Sequence, residues 1–127
     1  MATTILQDAR VFEVNTPTTI AKPTMLDNNK NVWSNVVLNC NTTTATIQVQ
    51  LPSLASIGNT LDCEIIINKV DASANDVEII PYVDPIFPST QEYIGSNTTI
   101  PFPLTKQWQS AILRPTSLKS WSIEYSA

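Results

Sequence analysis

The sequence has no histidine, two glycines and two cysteines among its 127 residues, and these scarcities limit the chemistry open to it. Without histidine, Ser-His-Asp and Cys-His arrangements and most general acid–base designs are excluded. Glycine-rich phosphate loops, CxxC pairs and the HExxH zinc motif are also missing from the sequence. We therefore predict that the protein is not an enzyme and that it binds neither a cofactor nor a metal ion.

Charge is scarce as well. Charged residues make up 14% of the chain, compared with about a quarter in typical soluble domains. The net charge is −4 and the basic residues stand singly, so no stripe forms that would attract nucleic-acid phosphates. No apolar run spans a membrane and no export signal is evident. We expect no nucleic-acid or membrane partner, and a low-charge surface favours contact with neighbouring subunits.

The two cysteines, Cys40 and Cys63, lie in the apolar segments VVLNC and LDCEIII. One disulfide would be the alternative. In a chain without an export signal, reduced thiols packed as small hydrophobic side chains are favoured. The sequence therefore predicts two buried, reduced cysteines.

Acidic residues leave two chemical alternatives open. A two-carboxylate glycosidase would use Asp62 with Glu64, or Asp76 with Glu78. Acids at alternate strand positions are routine on a solvent-facing side, which we favour. Residues 71–76 could supply oxygen ligands for calcium, but Asp and Asn are also the residues that tight turns use, and we favour a turn.

The three tryptophans, Trp33, Trp108 and Trp121, also allow two interpretations. If exposed, they would be platforms for sugar rings. Each lies in a predicted strand among apolar residues, so packing in the core or between subunits is favoured.

Short apolar strands recur at intervals of about eight to twelve residues, which is typical of an all-β domain. The run Ile65–Ile67 is apolar on both faces and predicts a central strand, and residues 71–76 are predicted to close a hairpin. The predicted strands are Arg10–Asn15, Val32–Cys40, Ala45–Leu51, Leu61–Lys69, Val77–Ile80, Thr99–Leu104, Gln107–Leu113 and Ser120–Tyr125. The fold class predicted is an antiparallel β-sandwich or barrel of roughly seven to nine strands, jelly-roll-like or β-tulip-like.

One corner interrupts this series. Pro52 cannot donate to a strand ladder, so the strand before it must stop. Ser53–Ile57 is predicted to form a single helical turn, with Ser53 as its cap, that carries the chain to the next sheet.

Two segments differ from the strand series. Residues 1–30 have little apolar periodicity and are predicted to be an extended N-terminal arm with a strand or two, followed by a β-sandwich domain at 31–127. The alternative for residues 1–30 is an ordinary first hairpin of the sandwich. The irregular loop Tyr82–Thr99 is stiffened by proline and carries apolar side chains. These side chains either bind a partner or pack against the sandwich of the same chain. The candidate interface residues are Phe12, Pro85, Ile86, Phe87, Tyr93 and Ile94.

Three segments resemble a β-sandwich module of tailed-bacteriophage virion proteins, as found in capsid decoration (cement) proteins, head fibres and tail-fibre modules. They are ATIQVQLPSLASIGNTLDCEIIINKVDASANDVEIIP, NTTIPFPLT and KQWQSAILRPTSLKSWSIEY, and the likeness covers about the last ninety residues. Most of the resemblance comes from the Leu-Pro-Ser corner followed by the Asp-Ala-Ser-Ala-Asn turn. The chain lacks the Asp-Gly turn and the glycine before the final Trp that the module usually has, so those two turns are built differently.

The resemblance implies a structural virion protein that decorates the outer capsid surface and bridges neighbouring capsomers around packaged DNA. It implies a homotrimer bound to the major capsid protein, located on the capsid exterior and assembled in the bacterial host cytoplasm. The alternative is a tail-fibre or receptor-binding module that binds host carbohydrate.

Overall fold

The computed structural model describes residues 9–19, 35–54, 64–84, 86, 92–95, 102–117 and 119–125. These residues contain ten strands and no complete helix, so the all-β prediction is confirmed. Leu54, within the turn predicted at Ser53–Ile57, is the one described residue with a helical assignment. The strands are β1 (Ala9–Val14), β2 (Thr18–Thr19), β3 (Asn35–Cys40), β4 (Ile47–Gln50), β5 (Glu64–Lys69), β6 (Val77–Ile80), β7 (Tyr93–Ile94), β8 (Phe102–Leu104), β9 (Ser110–Pro115) and β10 (Ser120–Tyr125).

The strands form two sheets. A six-stranded sheet has the order β1-β3-β5-β9-β10-β7, and a four-stranded sheet has the order β2-β4-β6-β8. Neither sheet closes into a barrel within the described strands. The prediction that Ile65–Ile67 lies in a central strand is confirmed, because β5 has β3 on one side and β9 on the other.

The strand directions correct the antiparallel prediction. Five of the eight pairings among the described strands are parallel. The reason is that strands β1 to β9 alternate between the two sheets. The hydrogen-bonded neighbour of a strand is therefore often the next strand but one in the sequence, running in the same direction. The hairpin predicted at residues 71–76 is therefore wrong, since that loop joins β5 of one sheet to β6 of the other.

A single hydrophobic core takes side chains from both sheets. Strand burial alternates as the period of two requires, with Ile65 and Ile67 buried and Ile66 turned outward. Trp121 is the largest fully buried side chain. The buried hydrophobic residues are Val14, Val36, Leu38, Cys40, Ile47, Val49, Leu51, Leu54, Ile65, Ile67, Val77, Ile79, Ile94, Leu104, Ala111, Leu113 and Trp121.

The first described segment belongs to these sheets. Strand β1 pairs with β3 over six residues, β2 pairs with β4, and Val14 is part of the core. The strand predicted at Arg10–Asn15 is thus confirmed. The boundary predicted at Lys30 lies outside the described residues, as does the rest of the predicted arm.

Candidate binding surfaces

Four loops that join the two sheets gather at one end of the molecule. They are residues 15–17, 41–46, 70–76 and 105–109, and together they are called the loop end below. They meet because β1, β3 and β5 are parallel and finish side by side, while β9 starts next to the end of β5. Short loops on rigid strands can hold side chains in fixed positions for binding.

A buried lysine fastens two of these loops together. Lys69 is fully buried, and its Nζ donates to Thr42 Oγ1 at 2.8 Å and lies 3.2 Å from Asp71 Oδ2. Ser73 Oγ is a third oxygen at 3.5 Å. A buried ammonium group is costly unless it is paired and hydrogen-bonded, so these oxygens must keep their places when the chain folds. Lys69 therefore fixes loop 41–46 against loop 70–76.

The carboxylate of Asp71 completes this network. It accepts hydrogen bonds from the backbone N–H groups of Thr42 at 2.6 Å and Ser73 at 3.0 Å. Burial alone would raise the pKa of Asp71, but the hydrogen bonds from Ser73 and Thr42 outweigh it and hold the pKa well below its usual range. Asn75 adds an Nδ2 bond to the Thr42 carbonyl at 2.8 Å. The turn interpretation of residues 71–76 therefore accounts for these side chains through hydrogen bonds and an ion pair within the protein. No cluster of three or more His, Cys, Asp or Glu residues suited to a metal ion occurs among the described residues.

A strained, exposed tryptophan projects from loop 105–109. Trp108 has a φ of +66°, and 68% of its surface is exposed. It is the third residue of a β-turn closed by Gln109 N–H donating to the Lys106 carbonyl at 3.1 Å, where glycine or asparagine is the usual choice. Its own N–H donates to the Lys69 carbonyl at 2.7 Å, which ties the turn to β5. A bulky residue held at positive φ costs about 1–3 kcal/mol, and such strain is typical of functional positions.

A shallow polar cavity of about 200 Å³ lies next to this turn. Val70 forms part of its wall and accepts a hydrogen bond from Gln107 Nε2 at 3.3 Å, so the cavity adjoins the residue before Trp108. Asn41 Oδ1 accepts the Thr43 N–H at 3.0 Å. The cavity is lined by Glu13, Val14, Asn15, Asn39, Asn41 and Val70.

The outer face of the six-stranded sheet carries an apolar stripe. Val11, Val37, Ile66 and Ile112 are aligned in register across β1, β3, β5 and β9. Val11 is 57% exposed, and the other three are half-buried. Exposed apolar side chains that are contiguous across a sheet mark a contact surface more often than single ones do.

Polar side chains fix both flanks of this stripe. On one side Asn39 donates to Glu13 at 2.9 Å, Asn68 donates to Asn39 at 2.9 Å and Ser110 donates to Asn68 at 2.6 Å.

On the other side Arg114 bridges Glu64 and Glu124, with both N–O distances at 2.7 Å. The hydrogen bonds that Arg114 donates to Glu124 and Glu64, together with the charges of these carboxylates, raise its pKa. Glu64, one of the acids considered for a glycosidase pair, is thus engaged by Arg114, and its proposed partner Asp62 lies outside the described residues.

The candidate interface residues fall in different environments. Ile86 is 77% exposed and Tyr93 is 38% exposed. Tyr93 pairs with Ser120 at the start of β10, at the end opposite the loop end. Ile94 is fully buried in the core, and Phe12 is half-buried against it, so neither side chain is free at the surface of this chain. Pro85 and Phe87 lie outside the described residues. The role of the six candidate residues as an interface stays a prediction.

The corner after β4 holds a buried acid that sequence analysis missed. Glu92 is 5% exposed, and its two carboxylate oxygens accept the Leu54 N–H at 2.9 and 3.0 Å. Ser53, the predicted cap, donates its hydroxyl to Glu92 at 3.2 Å. A remote glutamate therefore supplies the acceptor at this corner. The rest of the turn predicted at Ser53–Ile57 lies outside the described residues.

Cys40 matches its prediction. It is a buried, free thiol, and burial, followed by the charges of Asp71 and Glu13, raises its pKa to about 12. A thiol with so high a pKa stays protonated and is a poor nucleophile. Cys63 lies outside the described residues.

Trp108 and Lys69 were missed for different reasons. The apolar residues after Trp108 suggested a strand, although strand β9 begins only at Ser110. The inward position of Lys69 could have been found from the strand alternation, which places it on the same face as Ile65 and Ile67. Of the other two tryptophans, Trp121 is in the core as expected and Trp33 lies outside the described residues.

No protein-family description, curated protein or solved structure matches the chain. Within the described part, no helix is long and apolar enough to cross a membrane.

Proposed function

We propose that the protein is a structural component of a tailed-bacteriophage virion, a decoration protein that binds the outer capsid surface and bridges neighbouring capsomers. The support comes from the three sequence segments that resemble such modules and from the low charge of the chain. The proposal includes a β-sandwich formed by the two sheets, an N-terminal arm and assembly as a homotrimer on the major capsid protein. Three copies around one symmetry axis would convert weak single contacts into strong attachment.

The observation that carries the proposal is the outer face of the six-stranded sheet. Its apolar stripe of Val11, Val37, Ile66 and Ile112 lies between two flanks of hydrogen-bonded polar side chains. Because these flanks are already fixed, a partner that docks there loses little side-chain entropy. An apolar centre with a polar rim is the usual anatomy of a protein–protein interface.

The charges of this face favour a shell protein over a second copy of the chain. The rim contains Glu13, Glu64 and Glu124 but only one described cation, Arg114. Two such faces packed against each other would bring like charges together, which is unfavourable. The expected partner therefore presents apolar residues ringed by basic ones. Contacts between copies are assigned to the parts of the arm outside β1 and to the loop around residues 85–94.

Co-sedimentation with purified capsids of the phage that encodes the chain tests this proposal. Wild-type protein should pellet with capsids, whereas Val11→Asp should lose at least about tenfold in affinity, because it places a charge in the apolar stripe. Val11 is 57% exposed, so this variant should keep the fold. The control Ala74→Asp adds the same charge at an exposed loop position and should bind like wild type.

Two outcomes would overturn the proposal. One is wild-type protein that remains in the supernatant with capsids present. The other is Val11→Asp protein that pellets as well as wild type, which would remove the outer face from the interaction.

A further inference from the structure

Trp108 is exposed at a position that folding alone would fill differently. Its positive φ strains the backbone, and its indole, 68% exposed, contributes little to the core. The turn is nevertheless held rigidly. Gln109 Oε1 accepts the Thr105 and Lys106 N–H groups at 2.8 and 3.3 Å, and the Trp108 N–H is bonded to β5. A rigid turn that holds an indole in solvent is suited to ligand contact.

The surroundings of this indole are polar, and the charged residues among them are Lys106 in its own loop and Glu13 in the adjoining cavity. Thr105 and Gln107 in its own loop are exposed, as are Asn41 and Thr43 in the neighbouring loop. The adjoining cavity adds Asn15 and Asn41, whose Nδ2 groups form no hydrogen bond within the described residues. Amide and hydroxyl groups both donate and accept, so they match a ligand rich in hydroxyls.

We propose that the loop end is a binding site for a neutral saccharide, with the Trp108 indole as the platform for one sugar ring. The C–H face of a pyranose packs against a flat aromatic ring, while its hydroxyls would exchange hydrogen bonds with Asn15, Asn41 and Glu13 in the cavity. An anionic sugar is disfavoured, because Glu13 is the charged group of the cavity lining.

The same surroundings argue against a protein ligand at this point. A tryptophan hot spot in a protein interface lies within a desolvated apolar patch. Among the described residues, the exposed large hydrophobic side chains besides Trp108 are Val11, Ile86, Tyr93 and Tyr125. Val11 belongs to the sheet face, and Tyr93 pairs with Ser120 near the opposite end. Tyr125 pairs with Ala111 near the start of β9, on the same side as the loop end, and its ring is tilted against Phe102 with ring centroids 6.1 Å apart. Of these four side chains, Tyr125 is the one that the strand register places at the same end as Trp108, and one aromatic ring is less than the desolvated apolar patch of a protein hot spot.

This inference does not rest on capsid attachment. The indole signals of the full-length, ¹⁵N-labelled protein would be followed during titration with the methyl glycosides of glucose, galactose, mannose and N-acetylglucosamine, and with maltose and lactose. Titration to about 20 mM detects complexes with millimolar Kd. At least one probe should shift the Trp108 signal saturably and leave that of the buried Trp121 in place.

Variants then assign the site. Trp108→Asn should weaken binding at least about tenfold, and Asn41→Ala should weaken it several-fold. Tyr93→Asn, which removes an exposed aromatic ring at the opposite end, should bind like wild type. The proposal is overturned if none of the six probes shifts the Trp108 signal. It is also overturned if Trp108→Asn leaves sugar binding intact, or if it reduces only self-association or capsid binding, which would make Trp108 a protein contact.

Discussion

Two described residues have left-handed backbone conformations, and they differ in what they reveal. Gly95, with a φ of +64°, ends β7 and donates its N–H to the Trp121 carbonyl at 2.6 Å. Glycine adopts this conformation at no steric cost, so the position is explained by folding. Trp108 has nearly the same φ of +66°, but folding does not explain this position, because a side chain there adds strain. The contrast marks Trp108 as the residue whose identity calls for a functional reason.

Replacing Trp108 by asparagine should therefore stabilise the fold. Asparagine tolerates the left-handed conformation, so Trp108→Asn should raise the free energy of unfolding by about 1 kcal/mol, as measured by urea denaturation. Trp108→Ala is the matched control, because it also removes the indole but keeps a side chain that disfavours positive φ. If both variants are destabilised to the same extent, the indole supports the fold and the strain argument fails.

The low pKa of Asp71 makes a directional prediction about pH. The unfolded pKa is about 3.9, and hydrogen bonds from Ser73 and Thr42 hold the folded pKa below it. The stability that Asp71 contributes is then complete above pH ~4 and is lost as the pH falls towards the folded pKa. Asp71→Asn should be less stable by roughly 3 kcal/mol at pH 7, because Lys69 loses its charged partner, and its stability should fall less steeply below pH ~4.

Denaturation midpoints in urea between about pH 7 and pH 2 would measure this dependence. The control is Asp76→Asn, which makes the same substitution in the same loop at a side chain that does not bond Thr42 or Ser73. Its stability should depend on pH as that of the wild type does. Equal slopes for wild type and Asp71→Asn at low pH would show that the network does not hold an ionised carboxylate.

At the level of elements, the sequence identified strand positions well and strand partners poorly. Val77–Ile80 and Ser120–Tyr125 form strands at their predicted limits, because alternation of apolar residues is a local signal. Alternation says which side chains face the core but not which sheet a strand joins. The composition of loop 71–76 is that of a hairpin turn. In the structure its side chains bind Thr42 and Lys69, and the loop connects β5 to a strand of the other sheet.

The first strand offers a test of the fold on a single element. Val14 is 8% exposed and belongs to the core, whereas Val11 on the same strand is 57% exposed. Val14→Ala should lower the free energy of unfolding by about 2 kcal/mol, and Val11→Ala by less than about 0.5 kcal/mol. Chemical denaturation of both variants measures the difference. Equal, small effects would mean that β1 belongs to a separate arm and does not complete the core.

For the whole molecule, the sequence predicted that the chain is all-β but predicted neither the mixed strand directions nor the surfaces. An all-β chain with buried cysteines follows from apolar periodicity, and Cys40 agrees with it. The apolar stripe could not be predicted, because it is formed by single residues from four strands whose order and register come only from tertiary structure. The loop end likewise depends on the alternation of strands between two sheets.

We propose that this chain attaches to the outside of a phage capsid through the outer face of its six-stranded sheet. Cryo-electron microscopy of capsids incubated with the full chain tests it most directly. We expect trimeric density over the threefold junctions of the shell, with Val11 and Ile66 facing the major capsid protein. Capsids without added density, or density in which this sheet faces solvent, would contradict it.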